Sequence, residues 1–550
     1  MEDLRLDTNV ADYLILVIYF VAVLGIGFAA KRYIKTSLDY FLSGRSLPAW
    51  ITGLAFISAN LGALEILGMA ANGAQFGAAT VHYYWIGAVP AMVFLGIVMM
   101  PFYYGSKVRS VPEYLRLRFN RPTHVLNALS FALATVLIAG VNLFALALVL
   151  ELLLGWPILL GIVVAAAIVL AYITLGGLSS AIYNEVLQFF IILAALVPLA
   201  LVGLHDVGGW EGLKEAVRGT EGGEPLLHAW EGTGVGNVTN PLEASWVPIV
   251  FGLGFVLSFG YWTTNFAEVQ RALSAKSLGA AWRTPLIGAY PKIFIPFITV
   301  IPGLVALVVI PGLGSDRPNM EYNNAIPLLM NEYLPNGMLG LALAGLIAAF
   351  MAGVAANVSA FNTVVTYDLW EPYVRSGASD EYYLRVGRIA TVGGIVVGIG
   401  TALIASGYSN IMDYIQLLFS FFNAPLFATF IIGMFWRRMT PWAGFWGLVA
   451  GTLGAAAAHY GNSWEIVGLG SAQAAAFWGA VAAFVADAVV TVLVSLVTRP
   501  KPVEELQGLV YGMANVEAHE PAEERVWYRK PWLLAVGALG IVVVLNIAFI

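Results

Sequence analysis

The sequence predicts an all-α, polytopic membrane protein of about fourteen transmembrane helices. Hydrophobic residues fill 59% of its 550 positions and charged residues only 11%, whereas a soluble chain carries roughly a quarter charged. Apolar runs of about 20 residues, enough to cross ~30 Å of hydrocarbon at ~1.5 Å per residue, recur from end to end. Lysine and arginine gather on one side of the resulting zigzag.

The runs lie near 10–30, 48–72, 79–104, 123–152, 155–175, 181–204, 246–272, 284–312, 337–366, 384–406, 411–435, 442–460, 470–497 and 531–550. Glu2, Asp3 and Asp7 precede the first run, which is also too long for a signal peptide. The residue alternation of an outer-membrane barrel is absent. With the N-terminus outside, the inner loops hold 22 of the 27 basic residues. These are Lys31, Arg32, Lys35, Arg45; Lys107, Arg109, Arg116, Arg118, Arg121; Arg271, Lys276, Arg283; Arg375, Arg385, Arg388; Arg437, Arg438; and Arg499, Lys501, Arg525, Arg529, Lys530. Arg5, Lys214, Arg218 and Arg317 fall outside, and Lys292 falls within a span. An even span count returns the C-terminus to the outside. The expectation is a multi-pass protein of the inner (plasma) membrane with both termini outside.

Two spans are punctuated by glycine and polar residues. The second contains Gly62, Gly68, Gly73, Asn60, Glu65 and Asn72. The seventh contains Gly252, Gly254, Gly260, Ser258, Thr263, Thr264 and Asn265. Polar groups in hydrocarbon need partners, and glycine lets the backbone open or helices approach. Five spans separate the two, so the second block of five enters the membrane inverted. Broken first helices in two inverted halves point to a midplane binding site of a secondary transporter. The expected organisation is a peripheral helix and inner loop (1–47), a first repeat (48–204), an extracellular loop (205–245), a second repeat (246–440) and peripheral C-terminal helices (441–550) with an inner loop at 498–530. Glu211, Glu215, Glu221, Glu224 and Glu231 make the outer loop a solvated cap or a short amphipathic helix.

Several function classes are excluded. Net charge of −6 argues against nucleic acid. The absence of cysteine removes disulfide and thiolate chemistry. No nucleophile–base or metalloprotease spacing points to an enzyme, and no filter motif points to a channel. No cofactor is expected.

The in-span polar residues are the candidate machinery. A charge at mid-membrane costs at least ~2.5 kcal/mol and faces a cavity or a partner. Glu65 lies mid-span. Lys292 lies nine residues from Arg283 at the inner face, ~13 Å deep. His82, beside Tyr83, Tyr84 and Trp85, reads as an interfacial aromatic belt or a proton carrier. Glu185 reads as a second ion site or an interfacial charge. Asp487 reads as a structural pair outside the core, and Gln416 as a group reaching a solute from above. The stripe Ala349, Ala352, Gly353, Ala356 makes one very small helix face.

In this order and spacing, SLPAWITGLAFISANLGALEILGM, SVPEYLRLRF, ITLGGLSSAIYNEVLQFF, NFAEVQRALSAKS, PLIGAYPKIFIPF and TVVTYDLW resemble the sodium:solute symporter family, and within it the sodium/sugar branch. The resemblance runs from about residue 11 to 440. It implies a five-plus-five inverted repeat and alternating access with sodium running down its gradient. It implies solute contacts at Glu65, Tyr84, Ser258, Lys292 and Gln416, and closure of the inner side by Tyr261. Lys292 and Gln416 keep the branch's residue type; Glu65 replaces Gln, Tyr84 replaces Glu and Ser258 replaces Asn. Glu185 matches an acidic position near the inner exit path. The implied sodium site uses carbonyls of Ser58, Leu61 and Ala349 plus two hydroxyls, where this chain has Ala352 and Gly353. Sodium wants several oxygens. Three alternatives stand: a shifted site using Ser58, Asn60, Asn357 or Ser359; water in place of the hydroxyls; or a coupling proton carried by Glu65 and His82.

The expected function is cation-coupled symport, by sodium first, of a small polar solute such as a sugar or polyol. The alternatives are proton-coupled symport of a carboxylate or amino acid using Glu65, and a nutrient sensor on a transporter scaffold.

Overall fold

In hydrocarbon every backbone N–H needs a partner within the chain, so apolar runs fold as helices. The computed structural model describes residues 8–32, 36–105, 108, 110–220, 222–315, 317, 320–513 and 529–549. Arg5, Lys35, Lys107, Arg109 and Arg525, the acidic Glu2, Asp3, Asp7 and Glu221, and the 514–528 part of the inner loop lie outside the described residues.

The long helices are α1 (Val10–Lys31), α2 (Ala49–Asn60), α3 (Leu64–Val81), α4 (Tyr83–Tyr104), α5 (Arg121–Leu154), α6 (Ile158–Asp206), α7 (Pro248–Thr264), α8 (Phe266–Leu273), α9 (Leu278–Val309), α10 (Met338–Tyr373), α11 (Asp380–Ala405), α12 (Ile411–Phe435), α13 (Pro441–Ser463), α14 (Ala472–Val497) and α15 (Pro531–Ala548). Both punctuated spans are broken. Helices α2 and α3 meet at 61°, and α7 and α8 at 48°.

Among the described residues, ten helices are long and apolar enough to cross a membrane, or up to twelve with each bent pair counted as one span. Long apolar helices therefore do not by themselves reach the expected fourteen. The fifth expected run is the shorter apolar stretch Ile158–Ala171. The twelfth is α13, whose end carries the polar residues His459, Asn462 and Ser463. Helix α6 breaks at Gly177 (φ 53°, ψ −149°). A Cβ at Gly177 would lie 2.6 Å from the Tyr40 carbonyl oxygen, so only glycine fits that turn.

Peripheral helices show their apolar sides outward: Val17, Ile18 and Val21 of α1, Val489 and Leu493 of α14, Val543 and Val544 of α15 are exposed. Lipid is the solvent such faces suit. Helix α1 is tied to the core. Asn9 and Asp12 form a reciprocal N-terminal cap. Asp12 Oδ1 also accepts the N–H groups of Gly337 (2.7 Å) and Gly340 (2.6 Å) at the start of α10. In the outer loop Gly209–Arg218 is an amphipathic helix with Leu213 and Val217 buried. Its Arg218, with His228, holds the Glu224 carboxyl down at about 2.

Helices α3 and α9 touch backbone to backbone. A Cβ on Gly303 would lie 2.2 Å from the Ala70 oxygen, and one on Gly73 would lie 2.5 Å from the Val300 oxygen. Gly303→Ala is expected to lower stability by about 1–3 kcal/mol through overpacking. A thermal melt of the detergent-purified variant would show it. An unchanged melt means the crossing is looser than described.

Candidate functional site

The site is built at the two breaks. Helix α2 ends at Leu61, whose ψ of 46° leaves helical geometry. The freed N–H of Ala63 donates to Asn142 Oδ1 at 2.9 Å, and Asn142 Nδ2 donates to the Ile138 carbonyl of its own helix, α5, at 3.0 Å. Breaking a helix in a membrane requires such a substitute partner. The amide oxygen is wedged: it lies 2.5 Å from a Cβ built on Gly62 and 2.2 Å from one built on Gly353. At the second break Asn265 turns the chain and accepts the Ala267 N–H at 3.0 Å, starting α8.

Between the breaks lies a cavity of about 80 Å³. Glu65, Tyr84, Ser258, Lys292 and Gln416, the five expected solute contacts, all line it, as does Tyr261, expected to close the inner side of the substrate site. Asn60, Asn142, Trp262, Gly353, Asn357 and Phe419 complete much of the wall. Lys292 Nζ sits 2.6 Å from Glu65 Oε1, both side chains about 5% exposed or less. The pair is a charge contact outside hydrogen-bond angles, since Glu65 Oε1 has no aligned donor. The ammonium instead donates to Asn60 Oδ1 at 2.5 Å. It also lies over the rings of Tyr84 (4.9 Å) and Trp262 (5.3 Å), which adds cation–π attraction. Asn60 Nδ2 donates to Tyr261 Oη at 3.0 Å, and that hydroxyl donates to Glu268 Oε1 at 2.8 Å. Tyr84 Oη lies 3.2 Å from Thr299 Oγ1. Ser258 Oγ donates to the Leu253 carbonyl at 2.8 Å, and Gln416 Oε1 is buried with no partner.

The residues of the expected sodium site are placed differently. Ser58, Leu61, Ala349 and Ala352 are buried at 1% exposure or less, and of this set only Gly353 borders the cavity. The Ser58 carbonyl accepts the Leu61 N–H at 3.0 Å, and the Gly353 carbonyl accepts Asn357 Nδ2 at 2.9 Å. Ala352 and Gly353 bring no side-chain oxygen, and the Asn142 amide fills the space beside Gly353. That donor set fits sodium poorly. Ser58 Oγ, Asn357 Oδ1 and Ser359 Oγ are buried without hydrogen-bond partners.

Glu185 is away from the cavity wall. Both its oxygens are taken by Arg271, Oε2 at 3.2 Å from Nε and Oε1 by Nη2, in a pair that is buried and not at the interface. His82 is fully buried, with Nε2 2.7 Å from the Ala229 carbonyl and its ring 4.3 Å from that of Trp230. The outer loop covers it, away from the cavity. Asp487 pairs with hydroxyls, Thr429 at 2.6 Å and Thr491 at 3.0 Å, where a charged partner is the usual expectation.

Two site residues escaped sequence reading. Asn142 is one polar side chain in the apolar run AGVNLFALAL, the ordinary mark of helix–helix packing. Glu268 sits in NFAEVQRALSAKS, at the inner end of the seventh run, and is not singled out among its polar residues. The signal for Asn142 was its isolation among apolar neighbours.

Known proteins share both sequence and fold. Sodium/glucose cotransporter 4 of Danio rerio is 30% identical over 472 residues, 81% of this chain and 71% of that one. Human sodium/myo-inositol cotransporter 2 is 31% identical over 467 residues, 80% of this chain and 68% of that one. The substrate-bound, outward-open structure of a Na+-coupled sialic acid symporter superposes with a TM-score of 0.75 at 19% identity, over 90% of this chain and 99% of that one; it shares the fold. The profile of the sodium:solute symporter family matches residues 40–451, so this multi-pass membrane protein, a transporter and not an enzyme, belongs to the sodium:solute symporter family.

Proposed function

We propose that the chain couples a cation to uptake of a small uncharged polar solute, a sugar or polyol, by alternating access. One observation carries the reading: Lys292 and Glu65 cancel each other's charge at 2.6 Å on the wall of a buried cavity between two broken helices. A pocket of zero net charge favours a neutral solute over an anion. Tyr84, Tyr261, Trp262 and Phe419 offer faces for the apolar side of a ring, and Asn60, Gln416 and Lys292 offer partners for hydroxyls. Relatives named for glucose and myo-inositol support this class. Opening then consists of breaking the Lys292–Asn60–Tyr261 contacts across the two breaks while solute hydroxyls replace them.

Sodium as the coupling ion is supported by the relatives' names and by the unpartnered oxygens of Ser58, Asn357 and Ser359. A proton is supported by the missing hydroxyls at Ala352 and Gly353 and by the Asn142 wedge. The same reading places both termini outside, in the inner (plasma) membrane, and assigns 48–204 and 246–440 to the inverted repeats.

Uptake of labelled sugars, polyols, amino acids and carboxylates into proteoliposomes, under sodium and proton gradients imposed separately, tests it. The expected result is gradient-driven accumulation and counterflow of a neutral polyhydroxy solute. Accumulation of amino acids or carboxylates alone would replace the solute class. Binding without transport would favour a sensor.

A further inference from the structure

We propose that Glu268 is the residue that binds and releases a coupling proton. The inference rests on the transport reading above and names the ion it uses. Its basis is a charge inventory. In the centre, Lys292 faces Glu65. Toward the inner side, Arg271 faces Glu185, both essentially unexposed. Glu268, 2% exposed, has no cation of its own. Its Oε1 accepts the Tyr261 hydroxyl, and its Oε2 is buried with no partner. In this stretch of the interior, three carboxylates and two cations leave one formal negative charge. An isolated buried carboxylate is costly, and taking up a proton removes the cost.

The surroundings do not supply the missing charge. Helices α2 and α7, the Met338–Thr363 part of α10 and the Met100–Gly105 segment pack around α8 and carry no charged side chain. Helix α9 contributes Lys292 and Arg283, and the short helix Ser37–Leu42 contributes the half-buried Asp39. The charges that act on Glu268 are Arg271, Glu185 and Lys292, and the two cations among them already face other carboxylates.

A hydrogen-bond chain links the proton to the solute pocket. Lys292 donates to Asn60, Asn60 to Tyr261 and Tyr261 to Glu268, so every donor points toward Glu268. An ionised Glu268 holds the Tyr261 hydroxyl as donor. That leaves the Tyr261 oxygen for Asn60, and the Asn60 oxygen for Lys292. A protonated Glu268 loosens the Tyr261 link and, through Asn60, releases Lys292 toward a solute hydroxyl. The proton enters from water on one side and leaves to water on the other, with no other chemistry.

Counterflow and gradient-driven uptake of labelled glucose and myo-inositol test this in sodium-free proteoliposomes. An inward gradient of about one pH unit sustains about tenfold accumulation when one proton accompanies each solute. Wild type is expected to approach that ratio and to alkalinise a weakly buffered external medium during uptake. Glu268→Gln is expected to lose accumulation, and the counterflow it retains is expected to lose its dependence on pH. Tyr261→Phe, which removes the hydrogen bond to the ionised carboxylate, is expected to move the midpoint of that dependence upward. Glu268→Gln vesicles that still accumulate solute tenfold would overturn the proposal. So would wild-type uptake without external alkalinisation, a reading that does not depend on the variant folding. Failure of wild type to exchange either solute, with or without sodium, would sink the transport reading itself.

Discussion

Lys292→Ala is expected to weaken solute affinity by one to two orders of magnitude and to destabilise the fold. The ammonium answers Glu65 at 2.6 Å, Asn60 at 2.5 Å and two aromatic faces. Removing one member of a buried pair costs about 3–5 kcal/mol, because the other charge stays buried and unanswered. The double substitution Lys292→Met with Glu65→Gln separates the two roles. It leaves no buried charge at the pair and should recover stability in a thermal melt. It should not recover solute affinity, since the hydroxyl-binding ammonium is gone. Counterflow with increasing unlabelled solute reads the affinity. Full affinity in Lys292→Ala would make the lysine a structural residue only.

Gly353→Ser should be nearly as damaging, for a steric reason. Its Cβ would stand 2.2 Å from Asn142 Oδ1. The amide must then swing away and abandon the Ala63 N–H at the helix break. Overpacking and a buried unsatisfied N–H together cost about 2–4 kcal/mol. Asn142→Ala should relieve the clash but still leave that N–H without an acceptor. Combining Asn142→Ala, Ala352→Ser and Gly353→Ser restores two hydroxyls and clears the space between them. This triple variant is expected to gain a thermal stabilisation in sodium chloride over choline chloride that wild type lacks. A wild-type shift of equal size would mean that sodium binds there with Asn142 in place.

The breaks in both punctuated spans were legible because clustered glycine and asparagine weaken a long apolar helix and demand polar partners inside the membrane. The six expected residues that line the cavity were implied by the resemblance to the sodium/sugar branch, carried over position by position. Pairing across the chain was not legible. Basic-residue counting put Arg271 at the inner surface, yet it is fully buried, because its partner Glu185 lies 86 residues earlier in sequence. Length and apolarity alone qualify ten to twelve of the described helices as spans, because the helix at 158–171 is short and α13 ends in polar residues, while the Gly177 break falls between the predicted runs 155–175 and 181–204. Asn142 was invisible as a site residue because its role depends on what two glycines on other segments lack.

The glycine crossing of α3 and α9 has a mechanical corollary. Segments in contact through their main chains, Gly73 on Val300 and Gly303 on Ala70, swing as a single lever. Glu65 rides on one arm and Lys292 on the other, so in the proposed alternating-access cycle their attraction is expected to travel with the lever. Asn60 and Tyr261 stand beyond the elbows, on α2 and α7. Relative rotation at those elbows therefore strains the amide and phenol links first, making them the latch and the salt bridge the fixed cargo hook.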